Sequence, residues 1–279
     1  MECVESIRKN SYKNYEIVIV DNKSTDKSRN DLYQKKDEYS YTLIEAKENK
    51  GFSAGNNIGI RYALDHQAEY IVLLNNDTLV DTKFLSKLIE YQSVHFECAV
   101  AIGKIYYAYK NYTIWYAGGS VSPITTRTIH YGIGKVDNYS SEEEAVQVSF
   151  ATGCYMSIRR DVFSEIGLLD EDYFLYDEDT DFSLRLAENN KKIFYIPSSV
   201  VYHKVSASTG DGSDLSQYYQ VRNHFLLIKK NVKPLFFPIA IGYTVLLLFK
   251  RMFMGELKPK NVLQGTVGYL QGETKTKKL

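Results

Sequence analysis

The sequence predicts a single α/β domain built on a mostly parallel, Rossmann-like sheet with helices on both faces. Near-continuous apolar runs at residues 16–20 and 70–74 are typical of buried parallel strands. Each run is followed by a polar loop, and helical periodicity appears further along the chain, from residue 53 and from residue 81, as in the strand–loop–helix alternation of α/β folds. A chain of 279 residues, 44% of them apolar, is large enough for one such domain with extensions.

The other predicted elements continue this alternation. Ser53 is the expected cap of one helix and Asp81 of the next, because each precedes an apolar helical stripe. Residues 106–147 are rich in Tyr, Gly, Thr and Ser and predict short strands and long loops. Further strands are predicted at 41–45 and 99–105, and further helices at 3–9, 161–166, 178–189 and 214–229.

The composition limits the partners and the compartment. The 34 basic and 34 acidic residues cancel, so we expect no nucleic-acid partner. Cys3, Cys98 and Cys154 lack metal-site spacing and predict reduced, buried thiols of a cytosolic protein. The first ten residues are charged and lack the apolar core of a secretory signal.

The C-terminal part, residues 232–279, has a different character. Residues 234–249 carry no charge and are flanked by Lys233, Lys250 and Arg251. The segment is shorter than the roughly 20 residues of a spanning helix. It predicts either a helix lying in the membrane interface or, with equal weight, a buried C-terminal helix. A Lys-rich tail, residues 274–279, follows and is predicted to be disordered.

A polar loop with two acids follows the first apolar run. Asp21, at the strand end, could accept hydrogen bonds from a base or ribose, and Asn22 and Asp26 are candidates for the same role. The same residues could equally form a strand-to-helix turn with a capping Asp.

A glycine-containing loop precedes the helix expected at residue 53. Asn49, Gly51, Gly55 and Asn56 are candidate donor-binding residues, because glycines permit close backbone approach and leave N–H groups for an anion. The loop matches neither a Walker loop nor GxGxxG, so alone it is weak evidence.

Two candidate metal ligands follow apolar strands. Asp77 comes directly after residues 70–74, and its carboxylate suits Mg²⁺ or Mn²⁺ shared with substrate phosphates. His203 ends the run SVVYH and could be a further ligand, although a lone His is more often structural.

Four carboxylates fall within residues 177–181, after an aromatic stretch. A helix dipole would stabilise acids in a first turn, which is the structural explanation. The functional hypothesis is that Asp179 is a general base whose pKa is tuned by its neighbours, including Glu178 and Asp181.

Five motifs in this order resemble glycosyltransferase family 2, especially its rhamnosyltransferase-like members. The resemblance spans residues 2–231, and its order makes it far more specific than any single motif. The matching segments are EIVIVDNKSTD, ENKGFSAGNNIGI, YIVLLNNDTLV, the long segment from ATGCYMSIRRDVF to SVVYHKVSAST, and QYYQVRNHFLLIKKN.

The resemblance implies a GT-A fold over residues 1–231 and an inverting sugar transfer. Asp21 matches the nucleotide-contacting acid, Asp77 the last acid of the metal motif, and Asp179 the base. The donor would be a nucleotide-diphosphate sugar, with rhamnose as the family-level expectation, and Mg²⁺ or Mn²⁺ would hold the diphosphate. The acceptor would be a hydroxyl of a glycan or lipid-linked intermediate at the inner face of the cell membrane. Gly153 and Arg222 join Glu178 and Asp181 as expected acceptor-side residues.

Two departures from the family pattern leave an alternative open. The metal motif reads Asn75-Asn76-Asp77, with one acid. A strand of the type VSIIIVNYN is expected before residues 2–9 and does not precede them. The alternative is therefore a catalytically inactive relative that acts as a binding or scaffold protein. A nucleotidyltransferase is a third hypothesis, but it explains neither the acidic cluster nor the HKVSAS loop.

Overall fold

The computed structural model describes residues 1–137, 144–205 and 212–273. Part of the HKVSAS loop and the Lys-rich tail therefore lie outside the described residues. The strands are β1 Val18–Asp21, β2 Thr42–Glu45, β3 Tyr70–Leu74, β4 Thr78–Val80, β5 Cys98–Tyr107, β6 Ile114–Tyr116, β7 Gly119–Val121, β8 Thr128–His130, β9 Val146–Val148, β10 Tyr155–Arg159 and β11 Lys192–His203. The helices are α1 Glu2–Arg8, α2 Ser28–Tyr39, α3 Phe52–Asp65, α4 Phe84–Val94, α5 Arg160–Ile166, α6 Glu178–Glu188, α7 Asp214–Asn231, α8 Phe237–Phe253 and α9 Pro259–Leu270, with a 3₁₀ turn at Pro234–Phe236.

The central sheet has the order β3-β10-β5-β11-β4, with β6 and β9 on its flanks. The α/β fold is confirmed, but the expectation of a mostly parallel sheet is wrong. β5 and β11 run parallel, whereas β10 runs antiparallel to both β3 and β5, and β4 antiparallel to β11. β10 comes from the second half of the chain and is inserted between β3 and β5, two strands of the first half, so the order of strands in the sheet differs from their order in the sequence.

A second, two-stranded parallel sheet is formed by β1 and β2. Among the described residues, β1 pairs with β2 alone, and β3 pairs with β10 alone. Helix α3 packs against both β1 and β3, which places the two sheets under the same helix. The edges of β1 and β3 are thus available for strand pairing.

The core is centred on β5, β10 and α6. Nine of the ten residues of β5 are buried, as expected for an apolar strand covered on both faces. Side chains of β10, such as Tyr155 and Ile158, and of α6, such as Phe182 and Leu186, are almost completely buried beside it. The three cysteines are free and buried, as predicted.

Helices α7, α8 and α9 form the C-terminal layer, of which α9 was not predicted. Gly265 and Gly268 on α9 allow close approach to α7, since a Cβ at either position would lie within 3 Å of Val221 or Tyr218. Helix α8 buries only Ala240, Thr244 and Leu248, one stripe of its surface. The continuous helical stretch Pro234–Phe253 is long and apolar enough to cross a membrane by length and composition, and 11% of its apolar window is buried. The prediction of a buried C-terminal helix is therefore wrong.

The predicted helix starts are shifted by one or two residues. Gly51 is the N-cap of α3, and the Ser53 hydroxyl instead donates a hydrogen bond to the Tyr173 carbonyl at 3.0 Å. Asp81 precedes α4 and accepts a hydrogen bond from the Lys83 amide at 2.8 Å. Helix α2 was not predicted, because its residues are polar and none is buried.

We predict that Gly103→Ala destabilises the fold by about 1–3 kcal/mol, because a Cβ there would lie 2.2 Å from the Ser199 carbonyl oxygen in the irregular part of β11. The matched control is Gly242→Ala on α8, where a Cβ meets no neighbour within 4 Å. The control should be neutral or stabilising by up to about 1 kcal/mol. Urea unfolding of both variants measures the difference, and equal stabilities would contradict this packing.

Candidate active site

The dipeptide Gly153-Cys154 connects the predicted base, Asp179, to the turn that carries the predicted metal ligand, Asp77. The Gly153 amide donates a 2.9 Å hydrogen bond to Oδ2 of Asp179. The Cys154 carbonyl, on the next residue, accepts a 2.9 Å hydrogen bond from the amide of Asn75, which begins the turn to Asp77. Asp77 and Asp179 are therefore positioned from neighbouring peptide groups at one edge of the central sheet.

Asp179 lies in the first turn of α6 and has the environment of a tuned acid. Its Oδ1 accepts a 2.7 Å hydrogen bond from the Thr180 amide, and its Oδ2 accepts the Gly153 bond. Burial raises its pKa, and the Gly153 amide and the charge of His130 partly offset this rise. The residue keeps part of its surface accessible, so the carboxylate remains available to a substrate proton.

Asp177 and Glu178, the two acids directly before Asp179, bind their protons more tightly than exposed acids do. Burial, followed by the charge of Asp179, raises the pKa of Asp177 to about 7. The same two causes raise the pKa of Glu178 well above its usual range, and its Oε2 has no hydrogen-bond partner in the described part of the chain. Tyr176 and Asp177 both have left-handed backbone conformations, with φ of 71° and 69°. Such conformations each cost about 1 kcal/mol or more, as at many functional sites.

Asp181 does not line the site, which corrects the sequence prediction. Its Oδ2 pairs with Nε of Arg185 at 2.7 Å, and its Oδ1 accepts a 2.8 Å hydrogen bond from Nδ2 of Asn231. The residue is 2% exposed. Its position two residues after Asp179 turns its side chain toward α7, so it links α6 to α7.

Asp77 and His203, the two residues that the sequence offers as metal ligands, lie together. Nε2 of His203 lies 3.3 Å from Oδ1 of Asp77, and both side chains are about nine-tenths buried. Within the described residues, Oδ1 of Asp77 and Nδ1 of His203 have no hydrogen-bond partner. Oδ1 of Asp77 nevertheless contacts Nε2 of His203, and Nδ1 lies on the far side of the imidazole, so Oδ1 and Nε2 are the two atoms that could share a divalent cation. No group of three His, Cys, Asp or Glu side chains that could hold a metal occurs in the described ranges, so substrate or water oxygens would complete its coordination.

The glycine-containing loop serves packing rather than anion binding. The Gly51 amide donates to Oδ1 of Asn49, and the Phe52 amide donates to the Phe174 carbonyl, so neither faces an anion. Gly51 has a φ of +94°, and a Cβ there would lie 2.1 Å from the Phe174 carbonyl oxygen. The Phe52 amide therefore holds the segment that leads to Asp179, and the Gly51 amide is used within its own loop.

The other donor candidates fall into two groups. Nδ2 of Asn22 donates to Oδ1 of Asn49 and to the Gly51 carbonyl, and Gly55 leaves room for the Asn22 side chain. The structure thus brings these four residues together at the end of β1. Asn56 instead donates to the Phe52 carbonyl within α3.

The two acids of the first loop differ in environment. Asp21 is 4% exposed, and its Oδ1 accepts a 3.1 Å hydrogen bond from the Ser24 amide. Asp26 is exposed, and its Oδ1 accepts hydrogen bonds from the amide and hydroxyl of Ser28, at the start of α2. Asp26 therefore has the structural role of a helix-start acid that the sequence left open.

Helix α7, like α3, contacts the loop before Asp179. Arg222 is 1% exposed and donates through Nη1 to the Asp172 carbonyl at 2.7 Å. Nδ2 of Asn223 donates to the carbonyls of Leu175 and Tyr176 at 2.7 and 2.8 Å. Arg222 was predicted to line the acceptor side, but its described contacts are with this loop, so it acts as a positioning residue.

Two residues of the middle segment were missed by the sequence analysis. His130, at the end of β8, interacts electrostatically with Asp179, and burial lowers its pKa. The ring of Trp115 on β6 contacts the rings of His130 and His203, with centroid distances of 5.0 and 4.7 Å. No local spacing indicates either residue, because β6 and β8 are only three residues long.

The fold is that of the GT-A glycosyltransferases. The chain belongs to glycosyl transferase family 2, whose family model matches residues 1–167. It is 27% identical over 272 residues to the dTDP-rhamnosyl transferase RfbF of Shigella flexneri, covering 92% of this chain and 87% of that protein. It is 29% identical over 218 residues to the low-salt glycan biosynthesis hexosyltransferase Agl10 of Haloferax volcanii. This match covers 76% of this chain and 66% of Agl10.

Solved structures share the fold at low sequence identity. GalNAc-T7 with UDP, GalNAc and Mn²⁺ superposes with a TM-score of 0.63 at 18% identity, covering 81% of this chain and 44% of that one. The mannosyltransferase PcManGT of Pyrobaculum calidifontis, in complex with GDP-Man and Mn²⁺, gives a TM-score of 0.58 at 14% identity. This superposition covers 98% of this chain and 83% of PcManGT.

We predict that Asp177→Asn changes the pH dependence of stability. Folding raises the pKa of this acid from 3.8 to about 7, so the chain takes up a proton on folding and stability falls as pH rises between these values. Asn has no carboxyl group to ionise, so the variant should be more stable than the unmodified protein at pH 8 by roughly 1–3 kcal/mol. This range is smaller than the full pKa shift implies, because Asp177 is partly exposed. Asn also tolerates a left-handed backbone, so the substitution should add no strain.

Urea unfolding between pH 5 and pH 8 checks this prediction. The advantage of Asp177→Asn should shrink as the pH is lowered, whereas the exposed control Asp65→Asn should show no such trend. A difference that does not change with pH would contradict the assignment.

Proposed function

We propose that the chain is an inverting glycosyltransferase that uses a nucleotide-diphosphate sugar. One observation carries the proposal. The Gly153 amide holds the Asp179 carboxylate, and the carbonyl of the next residue, Cys154, holds the turn that leads to Asp77. A base and a diphosphate-binding acid at neighbouring positions are what a single displacement at C1 of the sugar requires.

The reaction would proceed in one step. Asp179 accepts the proton of the acceptor hydroxyl while the acceptor oxygen forms a bond to C1 of the donor sugar. The bond between C1 and the diphosphate oxygen breaks, and the configuration at C1 inverts. The raised pKa of Asp179 makes it a stronger base than an exposed Asp.

Asp77 and His203 would hold a divalent cation, Mg²⁺ or Mn²⁺. The 3.3 Å contact between Oδ1 of Asp77 and Nε2 of His203 supports this role. Such an ion, when bound, neutralises charge that develops on the departing diphosphate. Asp21 and the cluster of Asn22, Asn49, Gly51 and Gly55 are the proposed nucleotide end of the donor site.

The relatives support a narrower proposal for the substrates. RfbF is named a dTDP-rhamnosyl transferase. A Mycobacterium tuberculosis relative, 38% identical over 63 residues that cover 23% of this chain, is named an N-acetylglucosaminyl-diphospho-decaprenol L-rhamnosyltransferase. We therefore propose dTDP-rhamnose as the first donor to test, and a glycan or lipid-linked acceptor in cell-surface polysaccharide synthesis.

A second candidate is an inactive relative that acts as a binding or scaffold protein. The observation that favours it is the division of the sheet, since the described β1 and β3 share no hydrogen bonds. A donor site beside β1 would then be less firmly held. Metal-dependent nucleotide binding discriminates between the two candidates, because the inactive relative would lack it.

We predict that Asp179→Asn lowers the transfer rate by at least about 100-fold, because Asn cannot accept the acceptor proton. Donor binding should survive, since the amide oxygen can still accept the Gly153 hydrogen bond. Product formation from dTDP-rhamnose and calorimetry with the nucleotide measure the two effects. The exposed control Asp161→Asn should keep full activity. An Asp179→Asn enzyme with most of its activity would show that another group is the base.

We predict that Asp77→Ala weakens Mn²⁺-dependent binding of the nucleoside diphosphate at least about tenfold, because the anionic ligand is lost. Calorimetric titrations with and without Mn²⁺ measure the effect. Asp65→Ala, at an exposed position of α3, is the matched control and should bind as the unmodified protein does. Unchanged Mn²⁺ dependence in Asp77→Ala would remove Asp77 from the metal site.

We further propose that α8 lies in the interface of the cytoplasmic membrane. Leu235, Leu246 and Phe249 are 81%, 71% and 63% exposed. Exposed Lys233 and Lys250 lie at either end of the same apolar segment. An apolar face with flanking cations is typical of a helix held by anionic lipid.

We predict that Leu246→Glu with Phe249→Glu weakens binding to phosphatidylglycerol vesicles at least about tenfold, since two buried apolar contacts would be lost. Vesicle co-sedimentation measures the effect. The control Phe96→Glu changes an equally exposed apolar residue far from α8, 77% exposed, and should bind normally. Equal binding of all three proteins, or no binding of the unmodified chain, would contradict the proposal.

A further inference from the structure

Trp115 occupies a distinctive position in the site. It is the single tryptophan of the chain. It lies on β6 between Ile114 and Tyr116, which are 9% and 0% exposed, so its side chain points away from their core-facing side. Trp115 itself is half-buried. Its ring therefore keeps an accessible surface next to the catalytic residues.

The ring contacts both halves of the site. On one side it meets His203, the neighbour of Asp77, edge to face at 4.7 Å and 81°. On the other side it meets His130, which interacts with the charge of Asp179, at 5.0 Å and 76°. Trp115 thus contacts His203 of the pair proposed for the diphosphate and His130, which interacts electrostatically with the proposed base.

The sugar of the donor must lie between the diphosphate and the proposed base. Its C1 is attached to the diphosphate and is attacked by the hydroxyl whose proton Asp179 accepts. Two perpendicular ring contacts fix the indole orientation, so its accessible surface is preorganised for a ligand. An aromatic surface can pack against the C–H face of a pyranose, while water and polar groups satisfy the sugar hydroxyls.

We propose that Trp115 is the platform for the pyranose ring of the donor and so contributes to donor-sugar specificity. The inference rests on the proposed function, because it requires a nucleotide-sugar at Asp77 and His203. A nucleoside diphosphate alone does not reach the platform. Trp115 should therefore increase the affinity for the nucleotide-sugar and not the affinity for the nucleotide alone.

The experiment uses the full chain with Mg²⁺, which does not quench fluorescence, and compares UDP, dTDP and GDP with UDP-glucose, dTDP-rhamnose and GDP-mannose. Calorimetry first identifies the nucleotide that binds. The emission of Trp115 should then change with the matching nucleotide-sugar in a way that the nucleotide alone does not produce. Because Trp115 is the single tryptophan, the signal needs no assignment.

Substitution gives a second measurement. Trp115→Leu should reduce the affinity gained from the sugar by about three- to tenfold and leave nucleotide affinity unchanged, which also shows that the variant is folded. Trp115→Phe should keep most of that gain, and the exposed control Tyr109→Leu should keep all of it.

The outcomes separate the two proposals. If no nucleotide binds, the proposed function fails and this inference with it. If a nucleotide-sugar binds but neither the emission nor the Leu variant distinguishes it from the nucleotide, the platform is wrong and the proposed function stands.

Discussion

The arrangement of this site depends on two hydrogen bonds to one dipeptide. Gly153 donates to Asp179, and Cys154 accepts from Asn75, so the loop before β10 joins the start of α6 to the turn after β3. Glycine fits at 153 because Phe52 and Asp179 both lie within 3.6 Å of where a Cβ would be. The proposed base and the turn that carries the proposed metal ligand are therefore both held by the same dipeptide, which favours a fixed relative position.

The loop that leads to Asp179 is strained and needs support from two sides. Helix α3 holds it through Ser53 and the Phe52 amide, and α7 holds it through Arg222 and Asn223. The ring of Phe174 also stacks on Tyr219 at 4.9 Å. These contacts offset the left-handed conformations at the start of α6 and the mutual repulsion of its acids. Packing against α3 and α7 thus offsets the unfavourable free energy of the strained, acidic start of α6.

The sequence predicted what depends on local pattern. The apolar runs located β1, β3 and β5, and the motifs located Asp77, His203 and Asp179, because strand ends and helix starts are local features. The antiparallel entry of β10 was missed, since pairing between distant segments leaves no local periodicity. Asp181 was misassigned because its partner Asn231 is 50 residues away. Likewise, the amides near Gly51 were expected to be free, but the Phe174 carbonyl that uses one of them comes from another part of the chain.

Calorimetric titration of the purified chain with UDP and dTDP, with and without Mn²⁺, tests the central claim most directly. Saturable binding of one nucleotide that depends on Mn²⁺ is expected, because the proposed metal ligands Asp77 and His203 lie together. Binding would also show that β1 and its loops form a donor site although β1 and β3 are not paired. A folded chain that binds neither nucleotide would contradict the account and favour the scaffold hypothesis.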